Sequence, residues 1–264
     1  FDQNGKYNLR IRRMLEAVYT GYTGDKTAAD FKAMEVYLKR VWFSNGIHHH
    51  YGCEKFVPGF PPEFFRQALL SVDAATLPLA EGQTVEQLYE EVAPVIFDPK
   101  VMPKRVNQAA GEDLVLTSAC TYYDGVTQQE AEAFYSAMKD PKDETPVSYG
   151  LNSRLVKENG KIQEKVWKVG GLYGVAIGKI VYWLKKAEGV AENPEQKAVI
   201  AKLIEFYETG DLKTFDDYAI LWVKDLDSRI DFVNGFTESY GDPLGMKASW
   251  ESLVNFKDLE ATRR

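Results

Sequence analysis

Ser153-Arg154-Leu155-Val156-Lys157-Glu158-Asn159-Gly160-Lys161-Ile162-Gln163-Glu164-Lys165-Val166 is the stretch whose reading decides the fold class. Asn159-Gly160 separates two extended runs, 153–157 and 162–166. A two-residue hairpin turn needs positive φ at both central positions, which asparagine and glycine tolerate best. The spacing therefore predicts a β-hairpin, set in an extended zone over 147–169 that Gly170-Gly171 closes.

Helical periodicity fills the chain on both sides. Upstream, Tyr7, Ile11, Met14, Leu15, Val18 and Tyr19 recur at three- and four-residue spacing, as one apolar helix face does. Gly21, Gly24 and Asp25 break it. A second helix is expected over 28–43, burying Phe31, Met34, Tyr37, Leu38 and Val41, with Gly46 as its stop. Pro61-Pro62 opens a short helix through Phe65 and Leu69, since proline is tolerated in a first turn. Thr84 with Gln87 and Thr127 with Glu130 have capping-box spacing. The first box begins a helix that Pro94 is expected to kink or end; the second begins one through Phe134 and Met138. Between them, Leu114 to Ser118 alternates as a strand would.

Downstream, Ile177, Ile180, Val181 and Leu184 mark a helix. Asn193 caps the next, with Pro194 in its first turn and Gly210 at its close. Thr214 opens a third. Residues 230–240 read as extended, 242–245 as a turn and 249–259 as a terminal helix. The fold class is α+β, helix-rich, with a small mostly antiparallel sheet. No repeat or Ser/Gly-rich linker divides the chain, so residues 1–264 are read as a single portion.

Composition narrows the function classes. The 264 residues are 45 % apolar and 27 % charged, which is globular. A chain this long buries about 70–75 % of its unfolded surface and needs no disulfide or structural metal. A net charge of −7 without blocks of like charge disfavours nucleic acid. No apolar run approaches the roughly 18 residues of a membrane span, so no membrane partner is expected. Cys53 and Cys120 make no disulfide scaffold and no Cys-x-x-Cys. The chain begins at Phe1 without a signal-peptide pattern and is read as a trimmed piece. Its compartment stays open, with the cytoplasm ranked ahead of the periplasm.

The three histidines, His48, His49 and His50, are consecutive. Catalysis that needs imidazoles from separate parts of the fold is closed to this chain alone. A metal reading would add Cys53 or Glu54, but zinc wants three or four ligands, usually from separated elements. A histidine-rich loop or strand with satisfied hydrogen bonds, lining a cleft, is the plainer reading. Gly170-Gly171-Leu172-Tyr173-Gly174 precedes a helix but lacks dinucleotide-loop spacing, and reads as a tight strand-to-helix turn. Both cysteines read as free thiols.

Asp231 to Gly245 says more. As a strand, it would put Phe236, Glu238 and Tyr240 on one face, a carboxylate and a phenol roughly 6.5–7 Å apart. An ionised carboxylate captures an ammonium, and a phenol donates to a developing oxyanion. Such a pair could hold a peptide's free amino end and touch a carbonyl further in. An edge strand with a solvated Glu and a half-buried Tyr is the bland alternative.

Within that stretch, Asn234-Gly235-Phe236-Thr237-Glu238-Ser239-Tyr240-Gly241-Asp242-Pro243-Leu244-Gly245 resembles the Gly-Phe-x-Glu-Ser/Thr-Tyr-x-Asp-Pro-x-Gly motif of the dipeptidyl peptidase III family, closest to its bacterial, Bacteroides-like branch. Trp222-Val223-Lys224-Asp225, Ser44-Asn45-Gly46 with Glu54-Lys55-Phe56-Val57-Pro58, and Pro146 to Ser153 are similar to family segments too. The likeness covers nearly the whole chain. It implies a zinc exopeptidase that releases dipeptides from the free amino terminus of oligopeptides. By that resemblance Glu238 binds the substrate's α-ammonium, and Tyr240 donates its hydroxyl to the tetrahedral intermediate. The family's zinc motif, His-Glu-x-x-Gly-His, does not occur here.

The resemblance therefore implies an amino-terminal piece, part of the lobe opposite the zinc lobe. Its partners would be an oligopeptide and the missing carboxyl-terminal zinc lobe of the same protein; alone it binds no zinc and is inactive. The alternative is a non-catalytic peptide-binding or scaffold domain of related fold. A third, minor reading makes His48–His50 with Cys53 a metal site.

Overall fold

In the computed structural model, which describes residues 1–264 with Thr262 given by its backbone alone, the helical periodicity of the first hundred residues becomes four helices: α1 (Asn8–Gly21), α2 (Ala29–Phe43), α3 (Pro62–Ser71) and α4 (Val85–Phe97). Ile11, Met14, Leu15 and Val18 of α1 meet Phe31, Met34, Leu38 and Val41 of α2 in one core, closed by Phe65 and Leu69 of α3 and Leu88, Val92 and Ile96 of α4. The Thr84–Gln87 capping box forms as read. Pro94 does not end α4, which runs on to Phe97. Beyond that end, the Lys55 ammonium donates to the carbonyls of Val95 (3.0 Å), Val101 (2.6 Å) and Asp98. It thereby fills acceptors that a helix C-terminus leaves open.

The strand expected at Leu114 to Ser118 is a turn. The Asp113 carboxylate accepts from the backbone N–H of Val115 (3.0 Å) and Leu116 (2.9 Å), and Thr117 and Ser118 return their hydroxyls to the carbonyls of Asp113 and Leu114 (both 2.7 Å). Short polar side chains here offer the backbone a local alternative to a ladder.

Packing divides the chain into two units, Phe1–Thr121 and Tyr122–Arg264, with no Ser/Gly-rich stretch at the join. In the second unit, β1 (Tyr123–Asp124) runs parallel to β2 (Ser153–Glu158), which pairs antiparallel with β3 (Lys161–Val166). Glu158 opposes Lys161 across the turn, and Asn159 (φ 52°) and Gly160 (φ 76°) take the positive φ that the sequence required. Between β1 and β2 lies α5 (Gln128–Ser136), started by the Thr127–Glu130 capping box and ending two residues short of Met138. Next come α6 (Gly174–Glu188), α7 (Pro194–Thr209) and α8 (Leu212–Lys224). Asn193 caps α7 through the N–H of Gln196, and Asp211, rather than Thr214, caps α8.

The last sixty residues depart most from expectation. β4 (Ile230–Glu238) pairs antiparallel with β5 (Ser249–Phe256) where a terminal helix was read, and the short α9 (Leu259–Thr262) follows β5. Trp250, Leu253, Val254 and Leu259 mimic helical spacing, but Trp250, Ser252, Val254 and Phe256 also alternate. Pairing with β4 across the turn at 242–245 decides between the two periods, which local sequence does not. The architecture is α+β and helix-rich, with two small, mostly antiparallel sheets.

Candidate functional site

β4 enters the site from the core. The Phe236 ring is 2 % exposed and stands 4.9 Å from Trp167, 6.2 Å from Tyr207 and 6.4 Å from Phe206. Its cross-strand partner Trp250 donates its indole N–H to the Tyr207 hydroxyl (2.7 Å), which donates to Asn234 Oδ1 (2.5 Å). The strand that carries the candidate residues is thus anchored by a ring cluster and by a relay of donors that passes through one of its members, Tyr207.

Past Phe236 the ladder slips. Phe236 pairs with Trp250 and Glu238 with Ser249, so Thr237 is an extra residue, a β-bulge. A bulge re-aims the side chains that follow it. β4 then ends at Glu238, and Ser239–Gly241 forms a single 3-10 turn. Strand alternation therefore does not set Tyr240; the turn does, and it brings phenol and carboxyl into contact instead of spacing them along a strand. The Tyr240 side chain, 70 % exposed, hydrogen-bonds the half-buried Glu238 carboxyl.

Glu238 has a second partner that the sequence reading missed. Its carboxyl hydrogen-bonds that of Glu251 on β5. The Glu251 hydrogen bond first, then burial, then the like charge raise the Glu238 pKa above the ordinary carboxyl value, and the Tyr240 hydroxyl opposes them. Thr237 Oγ1 donates to Glu251 Oε2 (3.4 Å). The missed signal was the turn at 242–245: folding 249–256 back on 230–238 as a hairpin places Glu251 near Glu238.

The loop behind this pair is held tightly. Asp242, 2 % exposed, accepts backbone N–H bonds from Leu244 (3.1 Å), Met246 (2.9 Å) and Lys247 (2.8 Å), and the hydroxyl of Tyr123 (2.9 Å).

The histidine run, in the first unit, divides: the His49 and His50 rings stack with centres 4.7 Å apart, while His48 is buried. His48 Nε2 donates to the Met102 carbonyl (2.8 Å), and burial lowers its pKa to about 4. His49 Nδ1 accepts from the N–H of Tyr51 and Gly52 (3.2 and 3.0 Å), and His50 Nδ1 bonds the Ser44 hydroxyl (3.1 Å). Among the described residues no group of three His, Cys, Asp or Glu stands ready to hold a metal ion. The glycine loop at 170–174 is a tight turn, with the N–H of Gly171 on the Lys168 carbonyl (3.0 Å). Neither Cys53 nor Cys120 is joined in a disulfide. No helix among the described residues is long and apolar enough to cross a membrane.

Comparison with known proteins bears on the second unit most directly. The family model for Peptidase family M49 matches residues 117–264. Dipeptidyl peptidase 3 of Rattus norvegicus is 24 % identical over 260 residues, covering 89 % of this chain and 35 % of that protein. Its counterpart in Homo sapiens is 24 % identical over 253 residues, covering 86 % and 34 %. The chain thus spans about a third of the length of the curated relatives it matches. Among solved structures, DPP III from Caldithrix abyssi aligns with 96 % of this chain and 41 % of its own at 17 % identity and a TM-score of 0.46.

Proposed function

Because the chain belongs to Peptidase family M49, we propose that it supplies the amino-end grip of a peptidase that releases dipeptides from oligopeptides. The observation that carries this reading is the contact of the exposed Tyr240 phenol with a Glu238 carboxyl that is already paired with Glu251. Two adjacent carboxyls resist double ionisation, and a cation relieves that repulsion. A peptide's α-ammonium is such a cation. It donates its own hydrogens to Glu238. With the carboxylate satisfied by the ammonium, the Tyr240 O–H turns to the peptide carbonyl oxygen, which gains negative charge as that carbon becomes tetrahedral.

The zinc that the family resemblance implies does not fit the residues present, since no three donors converge among those described. Attack on the carbonyl is therefore assigned to no residue of this chain. On this reading residues 1–264 form the amino-end-binding portion, and a zinc-bearing lobe elsewhere in a longer polypeptide completes the active site. The chain alone is inactive.

The test is hydrolysis of a chromogenic dipeptidyl-arylamide. The purified chain with added zinc gives no turnover; robust turnover overturns the incomplete-site reading. In the full-length protein, Tyr240→Phe lowers kcat by about 10²-fold or more, as loss of one oxyanion donor does. An unchanged kcat removes Tyr240 from the chemistry, and a full-length protein with no hydrolysis at all favours a peptide-binding scaffold.

A further inference from the structure

Lys247 follows the Glu238–Tyr240 segment by only a few residues, yet its side chain is wholly enclosed, 0 % exposed. Its ammonium donates to the Tyr135 hydroxyl, to Ser153 Oγ (3.2 Å) and to the Gly150 carbonyl (3.3 Å), and it lies 4.7 Å from the Tyr135 ring centre. Tyr135 and Ser153 each pass the contact on. The phenol donates to Glu164 Oε1 (2.9 Å), and the Ser153 hydroxyl reaches the same oxygen (2.5 Å). A buried cation and a carboxylate are therefore joined by two parallel hydroxyl bridges, spanning the loop, α5 and both strands of the β2–β3 hairpin.

Neutral packing would fill this space more cheaply. Burying an ion pair commonly gains no stability over well-packed apolar side chains. What the charged group adds is direction, since three acceptors fix where its nitrogen sits. The backbone on either side shows what is being aimed. The next residue, Ala248, donates its N–H to the Leu151 carbonyl (2.9 Å), and Ser249 then pairs with Glu238. At the other end of the loop Asp242 is fixed by Tyr123 and three loop N–H groups, two residues after Tyr240. Both ends of the segment 242–248 are thus pinned, and the residues just outside the pins are Tyr240 and the Glu238–Glu251 pair.

We infer that Lys247 is a positioning residue: through Tyr135, Ser153 and Gly150 it holds the loop that sets the Tyr240 hydroxyl on the Glu238 carboxyl. Its importance for peptide hydrolysis rests on the function proposed above; its geometric role does not. The experiment separates the two. The chain is labelled with 3-fluorotyrosine, and the Tyr240 resonance is assigned by its loss in Tyr240→Phe. In Lys247→Met, with folding checked by circular dichroism and denaturant unfolding, that resonance moves to the position it takes in Glu238→Gln, whereas those of Tyr37 and Tyr89 stay put. Tyr135→Phe and Ser153→Ala each remove one bridge; they give part of the same movement and decide the matter if Lys247→Met does not fold. A Tyr240 resonance unmoved in the folded variants overturns the proposal. In the full-length protein Lys247→Met lowers kcat by up to about 10²-fold, as small misplacements do. If Tyr240→Phe leaves kcat intact while Lys247→Met moves the resonance, the functional reading fails and the positioning role stands.

Discussion

Glu238 and Glu251 meet carboxyl to carboxyl across neighbouring strands, so the charge on Glu251 bears on the protonation of Glu238. Ammonium binding at such a pair is linked to proton release. The Glu238 pKa is raised, so at pH values below it the site must give up a proton before it holds a cation. Affinity for an oligopeptide with a free amino end should climb with pH through the Glu238 titration and then level off. Glu251→Gln removes the like charge and moves that climb to lower pH. Isothermal titration calorimetry with a free and an N-acetylated peptide checks this; equal affinity for both peptides counts against ammonium capture.

Phe236 is the buttress of the strand beneath the site. Its ring fills a cluster with Trp167, Phe206 and Tyr207, and Phe236→Ala leaves a cavity that rigid aromatic neighbours close poorly. A loss of about 3–5 kcal/mol in denaturant unfolding is expected. A loss below about 1 kcal/mol would mean that the cluster collapses readily.

The two capping boxes give smaller, cleaner effects. Thr84→Ala and Thr127→Ala each remove the hydroxyl that accepts from the third helical N–H, in α4 and α5 respectively. Each should cost about 1 kcal/mol, with Thr→Ser near neutral, measured by denaturant unfolding.

His48 makes the chain acid-sensitive. Burial, and then the nearby Lys55 and Arg105, hold its pKa at about 4 against the ordinary 6.5, opposed by its bond to the Met102 carbonyl. Between those two values the unfolded chain binds a proton that the folded chain refuses, so stability rises with pH across that window and falls as pH drops towards 4. In His48→Gln the slope of unfolding free energy against pH between 4 and 6.5 should flatten relative to the parent. An identical slope would show that the ring charges without penalty.

Sequence reading reached the parts of this molecule that local chemistry determines. Asn159-Gly160, Thr84 with Gln87, Thr127 with Glu130 and Asn193-Pro194 act through backbone groups within four residues, and each appears where it was read. At Leu114 to Ser118 the local Asp113, Thr117 and Ser118 bonds overrode the alternation; the failures near the site were non-local. Residues 249–256 satisfy two periods, and only β4 selects the strand. The bulge at Thr237 is a property of register between two strands, so alternation along one strand could not expose it. Glu238 and Tyr240 were legible as a chemically matched pair; their mutual contact, and Glu251 beside them, were not.

Lys55 lies in the Lys55-Phe56-Val57-Pro58 run that carries part of the family likeness, and a basic residue in such a run invites a role in catching anions. Its nitrogen is instead spent on the carbonyls of Val95, Asp98 and Val101 at and just past the C-terminus of α4. An acyl group placed on that amine would remove its charge and leave a single N–H for three oxygens, which would loosen the helix terminus. The state of this one amine can therefore be read as a tamper seal on the first unit, broken only when the local structure has already opened.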